Sequence, residues 1–129
     1  MSTTLTTLKG RWDDLLKNAP KTRIRDAAKV LRVSEADLLA TKLGDGATRL
    51  KDDFEAILKA VPTLGKVMAL TRNEHVVIEK NGVYNDPKFF SHGDGPSVGQ
   101  VVGPEIDLRL FMHAWAHGFA VEKTVRGKQ

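Results

Sequence analysis

The sequence predicts an α+β fold in which N-terminal helices pack on an antiparallel β-sheet. Apolar residues recur at helical spacing in the first half of the chain, and the spacing changes to alternation from Lys66 onward. Helices that precede a run of antiparallel strands are typical of this class. We predict one domain with a flexible N-terminus over 1–10, a helical part over 11–62 and antiparallel strands over 66–123.

The composition narrows the ligands that the chain can hold. Its 129 residues are enough for one hydrophobic core. Cysteine is absent, so disulfides and thiolate ligands are excluded, and a metal or haem iron needs nitrogen or oxygen donors. The formal charge of +4 fits a solvated surface or an anionic ligand. No run resembles a signal peptide or a membrane span, so we expect a cytoplasmic protein without membrane insertion.

Apolar stripes and stop signals predict four helices. Three stripes lie over 8–16, 24–31 and 54–61. Ser34 and Asp37 resemble a capping box at the beginning of the remaining helix. Gly44 and Gly46 end this helix. Pro20 and Pro62 end the first and the last helix. Each helix has one apolar face, so the four need a common partner surface.

Alternating runs in the second half predict strands. These runs are "KVMALT", "HVVIEK", "VYN", "GQVVG", "IDLRLF" and "FAVEK". Asn81-Gly82 predicts a tight hairpin turn, because a type I′ turn needs positive φ at both central residues. Glycine and proline predict a loop over "DPKFFSHGDGPSVG". A helical stripe also fits 104–118, but we favour a strand to Phe111 followed by a turn or a single helical turn.

The run "IDLRLF" places a cation and an aromatic ring on one side of a strand. Alternation directs Asp107, Arg109 and Phe111 to one face and their apolar neighbours to the core. Arginine presents a planar fork to a carboxylate, and a phenyl ring can cover a flat apolar ligand. With a nearby imidazole, these groups meet the demands of haem, which has two propionates, a flat macrocycle and an iron. The alternative is an exposed edge with an Asp–Arg surface pair.

The chain's four histidines are weaker signals. His113 and His117 lie four residues apart, which suits two ligands on one helical face, although the third ligand and the catalytic Glu of a zinc protease are missing. His92 lies in the glycine-rich loop, where it can reach a ligand or remain in solvent. His75 begins a predicted strand, where we expect it to face water or a backbone carbonyl.

Other functional classes have less support from the sequence motifs. The sequence has no GxSxG elbow, cysteine nucleophile, P-loop or GxGxxG after a strand. The segment "IRDAAKVLRVSEADLLA" has the pattern of a helix-turn-helix, whose second helix would enter a DNA groove. That helix begins with Ser34, Glu35 and Asp37, and two carboxylates repel phosphates. We therefore expect no nucleic acid partner.

Three blocks resemble the N-terminal half of the bacterial HemS/HmuS/ChuS family, the hemin-degrading factors or cytoplasmic haem-transport proteins. They are "IRDAAKVLRVSEADLLATKLGDGATRL", "LGKVMALTRNEHVVIEKNGVY" and "EIDLRLFMHAWAHGFAVEK", and the resemblance covers nearly all of 11–126. It implies one half of a two-repeat α+β protein that holds b-type haem between sheet and helices. It also implies cytoplasmic haem carriage, oxidative haem degradation in some members, and a haem-uptake or haem-oxygenase partner.

The resemblance implies roles for individual residues. Arg109 corresponds to the family arginine on the distal side of the haem, and Phe111 to the pocket aromatic of the same motif. The family's main axial histidine lies in a C-terminal half that this chain lacks. Ile78 occupies the position of an alternative histidine ligand, and His75, three residues earlier, falls on the opposite strand face. His92 and His113 remain the candidates for the iron, and His113 and His117 for haem contacts.

The chain also ends before the further strands that the family normally has. We expect the last strand, "GFAVEK", to leave an open sheet edge, and open edges invite pairing with another chain. A truncated half that completes itself as a homodimer is therefore one hypothesis. The predicted function is haem binding in bacterial haem utilisation. The alternatives are a non-catalytic interaction domain that dimerises through this edge and the DNA-binding module.

Overall fold

The computed structural model describes residues 3–123, with side chains from residue 7 onward. The elements in chain order are α1 (Thr3–Asn18), α2 (Ile24–Leu31), α3 (Glu35–Ala40), β1 (Ala47–Arg49), α4 (Phe54–Ala60), a 3₁₀ turn (Val61–Leu64), β2 (Val67–Arg72), β3 (Val77–Gly82), β4 (Lys88–Phe90), β5 (Val98–Val102), β6 (Asp107–Phe111), a second 3₁₀ turn (Met112–Ala114) and β7 (Phe119–Val121). Every paired strand is antiparallel. The α+β class predicted from the sequence is confirmed.

The chain forms two compact units. The first, the helical unit, comprises the described residues up to Leu50 and those from His117 onward. The second, the sheet unit, comprises Lys51–Ala116. The predicted division into helices over 11–62 and strands over 66–123 differs from these boundaries, because α4 belongs to the sheet unit while β1 and β7 belong to the helical unit.

The core of the helical unit comes from the apolar stripes of its three helices. Its buried members are Leu8, Trp12, Ala27, Ala28, Leu31 and Leu38. Leu8, which packs in this core, belongs to α1, and that helix begins at Thr3. The sequence predicted a flexible segment over 1–10; the structure gives a helix from Thr3 onward, flexibility itself stays a prediction, and residues 1 and 2 lie outside the described part of the chain.

A tight turn joins α2 to α3, as the sequence predicted. Arg32 adopts the left-handed conformation at φ 58°, and the next N–H, that of Val33, donates to the Ala28 carbonyl. Ser34 then forms the predicted capping box: its hydroxyl accepts from the Asp37 N–H at 3.0 Å, and its own N–H donates to the Asp37 carboxylate. The Ser34 N–H, and after it the Ser34 hydroxyl, which donates to the same carboxylate at 2.8 Å, lower the pKa of Asp37.

Strand β1 was not predicted. It spans only Ala47–Arg49 and pairs with β7, so that Arg49 faces Phe119. Three residues are too few for a visible alternation. The predicted strand "FAVEK" is confirmed as β7. It pairs with β1 alone among the described residues, so one of its edges is open, as the sequence predicted.

The sheet unit contains a β2–β3 hairpin and a three-stranded sheet in the order β4-β5-β6. Its core is formed by Ala69, Val101 and Ile106, with Tyr84 and Leu108 packed against it. The predicted strands "KVMALT", "GQVVG" and "IDLRLF" are confirmed as β2, β5 and β6. A 3₁₀ turn follows β6 directly, as predicted in preference to a helix over 104–118.

The hairpin turn is not at Asn81-Gly82, where the sequence predicted it. The turn lies at 73–76, where the Asn73 side-chain oxygen accepts from the N–H groups of His75 and Val76 at 2.8 Å. Asn81 and Gly82 instead continue β3, opposite Met68 and Val67. Since His75 is a turn residue, it does not begin the strand as predicted.

Gly82 is required by close packing rather than by a turn. A Cβ at this position would lie 2.8 Å from the Cβ of Glu105 and 3.2 Å from Cγ1 of Ile106. Neither neighbour is the end of a freely moving side chain, so the backbone of β3 or of 105–106 would have to shift. The absence of a side chain at residue 82 lets β3 approach the start of β6.

We expect Gly82→Ala to destabilise the protein by about 1–3 kcal/mol, the usual cost of overpacking a core. Urea denaturation followed by circular dichroism measures this change. Gly10→Ala is the matched control, because Gly10 lies in α1 with nothing within 4 Å of its added Cβ. Helix propensity favours alanine there by up to about 1 kcal/mol. Equal effects of the two substitutions would contradict the packing role of Gly82.

Candidate functional site

Strand β6 presents Arg109 and Phe111 on one exposed side. Exposure alternates along the strand: Asp107, Arg109 and Phe111 are exposed, and Leu108 and Leu110 are partly buried. This is the alternation that the sequence predicted for "IDLRLF". Phe111 is 56% exposed, a high value for a phenylalanine on an ordered strand. The predicted arginine and its ring therefore leave the same face.

The register of the sheet extends this face across three strands. Residues directly opposite one another on neighbouring strands share a face. Lys88 pairs with Gln100, and Gln100 with Arg109, which makes a polar row. We call the exposed side of the sheet the outer face; its members are Lys88, Phe90, Val98, Gln100, Val102, Asp107, Arg109 and Phe111.

A second, apolar row lies beside the polar one. Phe90 pairs with Val98, and Val98 with Phe111. Both rings are 56% exposed, and Val98 between them is partly buried. Residues two apart on a strand are separated by roughly 6.6 Å. Phe90 therefore lies at about this distance from Lys88, and Phe111 at about this distance from Arg109. The row of cations thus lies between this apolar row and a third row, formed by Val102 and Asp107.

The Arg109 guanidinium donates hydrogen bonds to its neighbours through Nη1. Nη1 donates to the Asp107 carboxylate at 2.5 Å and to the Leu108 carbonyl at 3.2 Å. Both side chains of the ion pair are more than half exposed, and such surface pairs contribute at most about 1 kcal/mol. A ligand carboxylate can therefore reach the other guanidinium N–H donors, or replace Asp107, at small cost.

Lys88 borders a small pocket at the other end of the polar row. The pocket has a volume of about 140 Å³ and is lined by Asn85, Asp86, Lys88, Gln100 and Val102. The Lys88 ammonium lies 3.6 Å from the Asp86 carboxylate, in an ion pair whose side chains are both well exposed. The sequence did not predict a role for Lys88, because β4 was assigned to a loop that is rich in glycine and proline. In a strand of three residues, "KFF" gave no recognisable period.

The predicted histidines of the sheet unit lie outside the outer face. His92 is an exposed loop residue between β4 and β5, and its carbonyl accepts from the Gly95 N–H. His113 is exposed in the 3₁₀ turn two residues after Phe111. In the described part of the chain, no group of three or more His, Asp or Glu side chains is arranged to hold a metal ion.

His117 belongs to the helical unit and contacts a different arginine. Its Nδ1 lies 2.7 Å from Nη2 of Arg49. A guanidinium only donates, so Nδ1 accepts and the proton of the neutral imidazole resides on Nε2. Iron ligation through Nε2 would require the opposite tautomer. The role of His117 in haem contact stays a prediction.

Another pocket of the sheet unit is acidic. It has a volume of about 310 Å³, and its walls are Asp52, Asp53, Phe54, Glu55, Met112, Trp115 and Ala116. The Phe54 and Trp115 rings meet edge to face at 5.7 Å. Asp53 is occupied in capping α4, where it accepts from the Ala56 N–H at 3.2 Å. Carboxylates on this wall repel an anionic ligand, which leaves the outer face as the stronger candidate.

The fold and the outer face together define an α+β protein with an exposed sheet surface of cations and aromatic rings. Residues 32–129 match the family described as "Haemin-degrading HemS.ChuX domain". This chain belongs to that family. The resemblance found in the sequence motifs is therefore confirmed.

Relatives and solved structures agree with this assignment. The chain is 36% identical over 103 residues to the hemin transport proteins HmuS of Yersinia pestis and HemS of Yersinia enterocolitica. It superposes with a TM-score of 0.82 on holo-PhuS, a haem-binding protein from Pseudomonas aeruginosa, at 45% identity over 95% of this chain. The haem-degrading enzyme ChuS of Escherichia coli O157:H7 gives the same TM-score at 28% identity and the same coverage.

The chain spans only part of each relative. It covers 28% of the length of HmuS and of HemS, and 35% of the chains of PhuS and ChuS. The family and the fold are shared with these proteins. In the described part of this chain, no helix has the length and apolar character needed to cross a bilayer.

Proposed function

We propose that this chain binds haem, with the outer face of the three-stranded sheet as its ligand surface. The observation that carries the proposal is the common exposure of Arg109 and Phe111 on β6, next to a second exposed ring at Phe90. An arginine fork suits a propionate, and the exposed rings suit a flat macrocycle. Membership of a haem-utilisation family supports this choice over other flat anions.

The outer face offers contacts for the propionates and the macrocycle of haem, but it carries no histidine for the iron. The face offers cations and rings, whereas His92 and His113 are exposed residues beside it. We propose these two histidines as the candidate axial ligands to a b-type haem. Haem would supply the redox chemistry of its iron, and this chain would supply binding and orientation.

We propose cytoplasmic haem carriage in bacterial haem utilisation as the physiological role. The Yersinia relatives are named hemin transport proteins, and ChuS is named as a haem-degrading enzyme. Haem degradation is therefore the activity we propose for a complete family member that contains such a sequence. Delivery to a haem-uptake or haem-oxygenase partner follows from the same proposal.

Titration with hemin tests the proposal directly. We expect a saturable Soret band with the unmodified chain, because hemin leaves its aggregates when a protein supplies a ligand and a dry surface. We also expect that either His92→Ala or His113→Ala moves the Soret maximum and that His75→Ala does not. A band that both substitutions leave in place would exclude the two histidines as ligands. Absence of any saturable band would contradict haem binding itself.

A homodimeric interaction domain is the second candidate function. The β2–β3 hairpin supports it, because Leu70, Val77 and Ile78 are each 46–61% exposed. Among the described residues, β3 pairs with β2 alone, which leaves its other edge open. A dimeric mass by light scattering, in a chain that gives no Soret band, would favour this function. A DNA-binding role has less support, since α3 has six residues and acidic side chains in its first turn.

A further inference from the structure

We propose that Asp94 is a modification site, at which isoaspartate forms spontaneously. The proposal goes beyond ligand binding and does not depend on it. An aspartate or asparagine precedes a glycine at three places in the chain: Asp45-Gly46, Asn81-Gly82 and Asp94-Gly95. In such a pair the side chain can react with the next backbone nitrogen, because glycine has no Cβ to obstruct the approach. The structure distinguishes the three places.

The reaction requires no co-reactant other than water. The Gly95 nitrogen attacks Cγ of Asp94, and the amide hydrogen leaves with the hydroxyl of the protonated carboxyl group as water. A second water molecule opens the resulting cyclic succinimide. Opening at the original backbone carbonyl gives isoaspartate, whose main chain runs through the side-chain carbon, and opening at the other carbonyl restores aspartate. The net change is an isomerisation that inserts one atom into the backbone between β4 and β5.

The loop that carries Asp94 is exposed and weakly held. Residues 91–96 are all exposed, and the Asp94 carboxylate forms no hydrogen bond or ion pair with any described residue. In the described part of the chain, one backbone hydrogen bond lies within 91–96, from the Gly95 N–H to the His92 carbonyl at 2.9 Å. A single exposed hydrogen bond opens readily, which frees the Gly95 nitrogen for attack. Gly93 and Gly95 flank Asp94, so neither neighbour restricts its rotation through a side chain.

Asn81-Gly82 has the more reactive sequence but the less favourable structure. An asparagine side chain forms the succinimide faster than an aspartate, because it loses ammonia instead of water. Both residues lie in β3, however, and pair with Met68 and Val67 of β2. Gly82 is buried, and a Cβ there would lie 2.8 Å from that of Glu105. Ring closure would rotate the backbone of a paired and closely packed strand, so local unfolding has to come first.

The backbone on both sides of Asp45 is fixed by hydrogen bonds. The Asp45 N–H donates to the Lys42 carbonyl at 2.8 Å, and the Glu122 N–H donates to the Gly46 carbonyl at the same distance. Two further backbone hydrogen bonds close the same turn. Asp94 therefore has the greatest freedom of the three candidates to bring its carboxyl group to the next nitrogen.

Peptide mapping of the full chain after incubation at mildly alkaline pH tests the proposal. Peptides with isoaspartate and aspartate have equal mass but separate by chromatography, and heavy-oxygen water labels each residue whose succinimide has been hydrolysed. We expect isoaspartate and label at Asp94, in about tenfold or greater excess over Asp45, while Asn81 keeps its amide. Asp94→Glu keeps the charge but requires a larger ring that closes more slowly, so it should abolish the signal at residue 94.

The variant Asp94→Asn provides a matched comparison within one molecule. It carries the same Asn-Gly pair in the loop and in β3, so the two places differ in structure and not in local chemistry. We expect residue 94 to lose its amide about tenfold faster than Asn81, or faster still, in the folded chain. In urea neither position is held, and the two rates should become similar.

Any of three results would overturn the proposal. Absence of isoaspartate at Asp94 in the unmodified chain would show that the loop is held more firmly than its hydrogen bonds indicate. A larger yield at Asp45 would assign the reaction to the helical unit instead. In folded Asp94→Asn, equal rates at residue 94 and at Asn81 would mean that the Asn-Gly sequence, and not the loop, determines the reactivity.

Discussion

Replacing Ile106 with alanine is expected to destabilise the protein by about 2–5 kcal/mol, the range measured when a buried aliphatic side chain is truncated to alanine. Ile106 is 2% exposed and lies in the core of the sheet unit with Ala69 and Val101. Its Cγ1 also lies 3.2 Å from the position that a Cβ on Gly82 would occupy. Its removal would leave a cavity between the hairpin and the three-stranded sheet, both of which belong to the same unit.

Urea denaturation followed by tryptophan fluorescence measures the effect, because one of the two tryptophans, Trp115, lies in the sheet unit and packs against Phe54. Circular dichroism at 222 nm follows the helices in the same samples. Val102→Ala is the matched control: Val102 is 54% exposed, and surface truncations usually change stability by no more than about 0.5 kcal/mol. A loss below 1 kcal/mol in Ile106→Ala would contradict the assignment of this core.

The sequence predicted those elements whose local pattern matches their final environment. The stripe from Ile24 to Leu31 became α2, and the Ser34–Asp37 capping box formed as expected, because both signals act within a few residues. The alternation in "IDLRLF" was also sufficient to orient Arg109 and Phe111, since a strand with one buried face shows its period directly.

The failures come from interactions between distant segments. Asn81-Gly82 looked like a turn, but Gly82 is needed where Glu105 and Ile106 pack against β3, a contact that no local pattern reveals. Strands β1 and β4 have three residues each and exist through their partners β7 and β5. The pairing of β4 with β5 also brings Lys88 and Phe90 to the outer face. The sequence therefore did not predict these two residues of the candidate site.

Arg109→Ala is expected to weaken hemin binding by about ten- to a hundredfold, which corresponds to the roughly 1.5–3 kcal/mol of a hydrogen bond to a charged group. The expectation follows from the geometry of the outer face: the guanidinium is more than half exposed, shares its face with Phe111, and uses Nη1 alone for Asp107 and Leu108. Folding should be little affected, because the ion pair with Asp107 is a surface pair.

Two further arginine variants separate the contributions of charge, geometry and position. Arg109→Lys keeps the charge but loses the planar fork, so we expect an affinity between that of the unmodified chain and that of Arg109→Ala. Arg72→Ala removes an exposed arginine of β2, outside the outer face, and should bind hemin unchanged. If Arg109→Ala bound hemin as tightly as Arg72→Ala, the guanidinium would have no part in holding the ligand. Haem would then have to lie elsewhere on the chain, since β6 would retain only its ring.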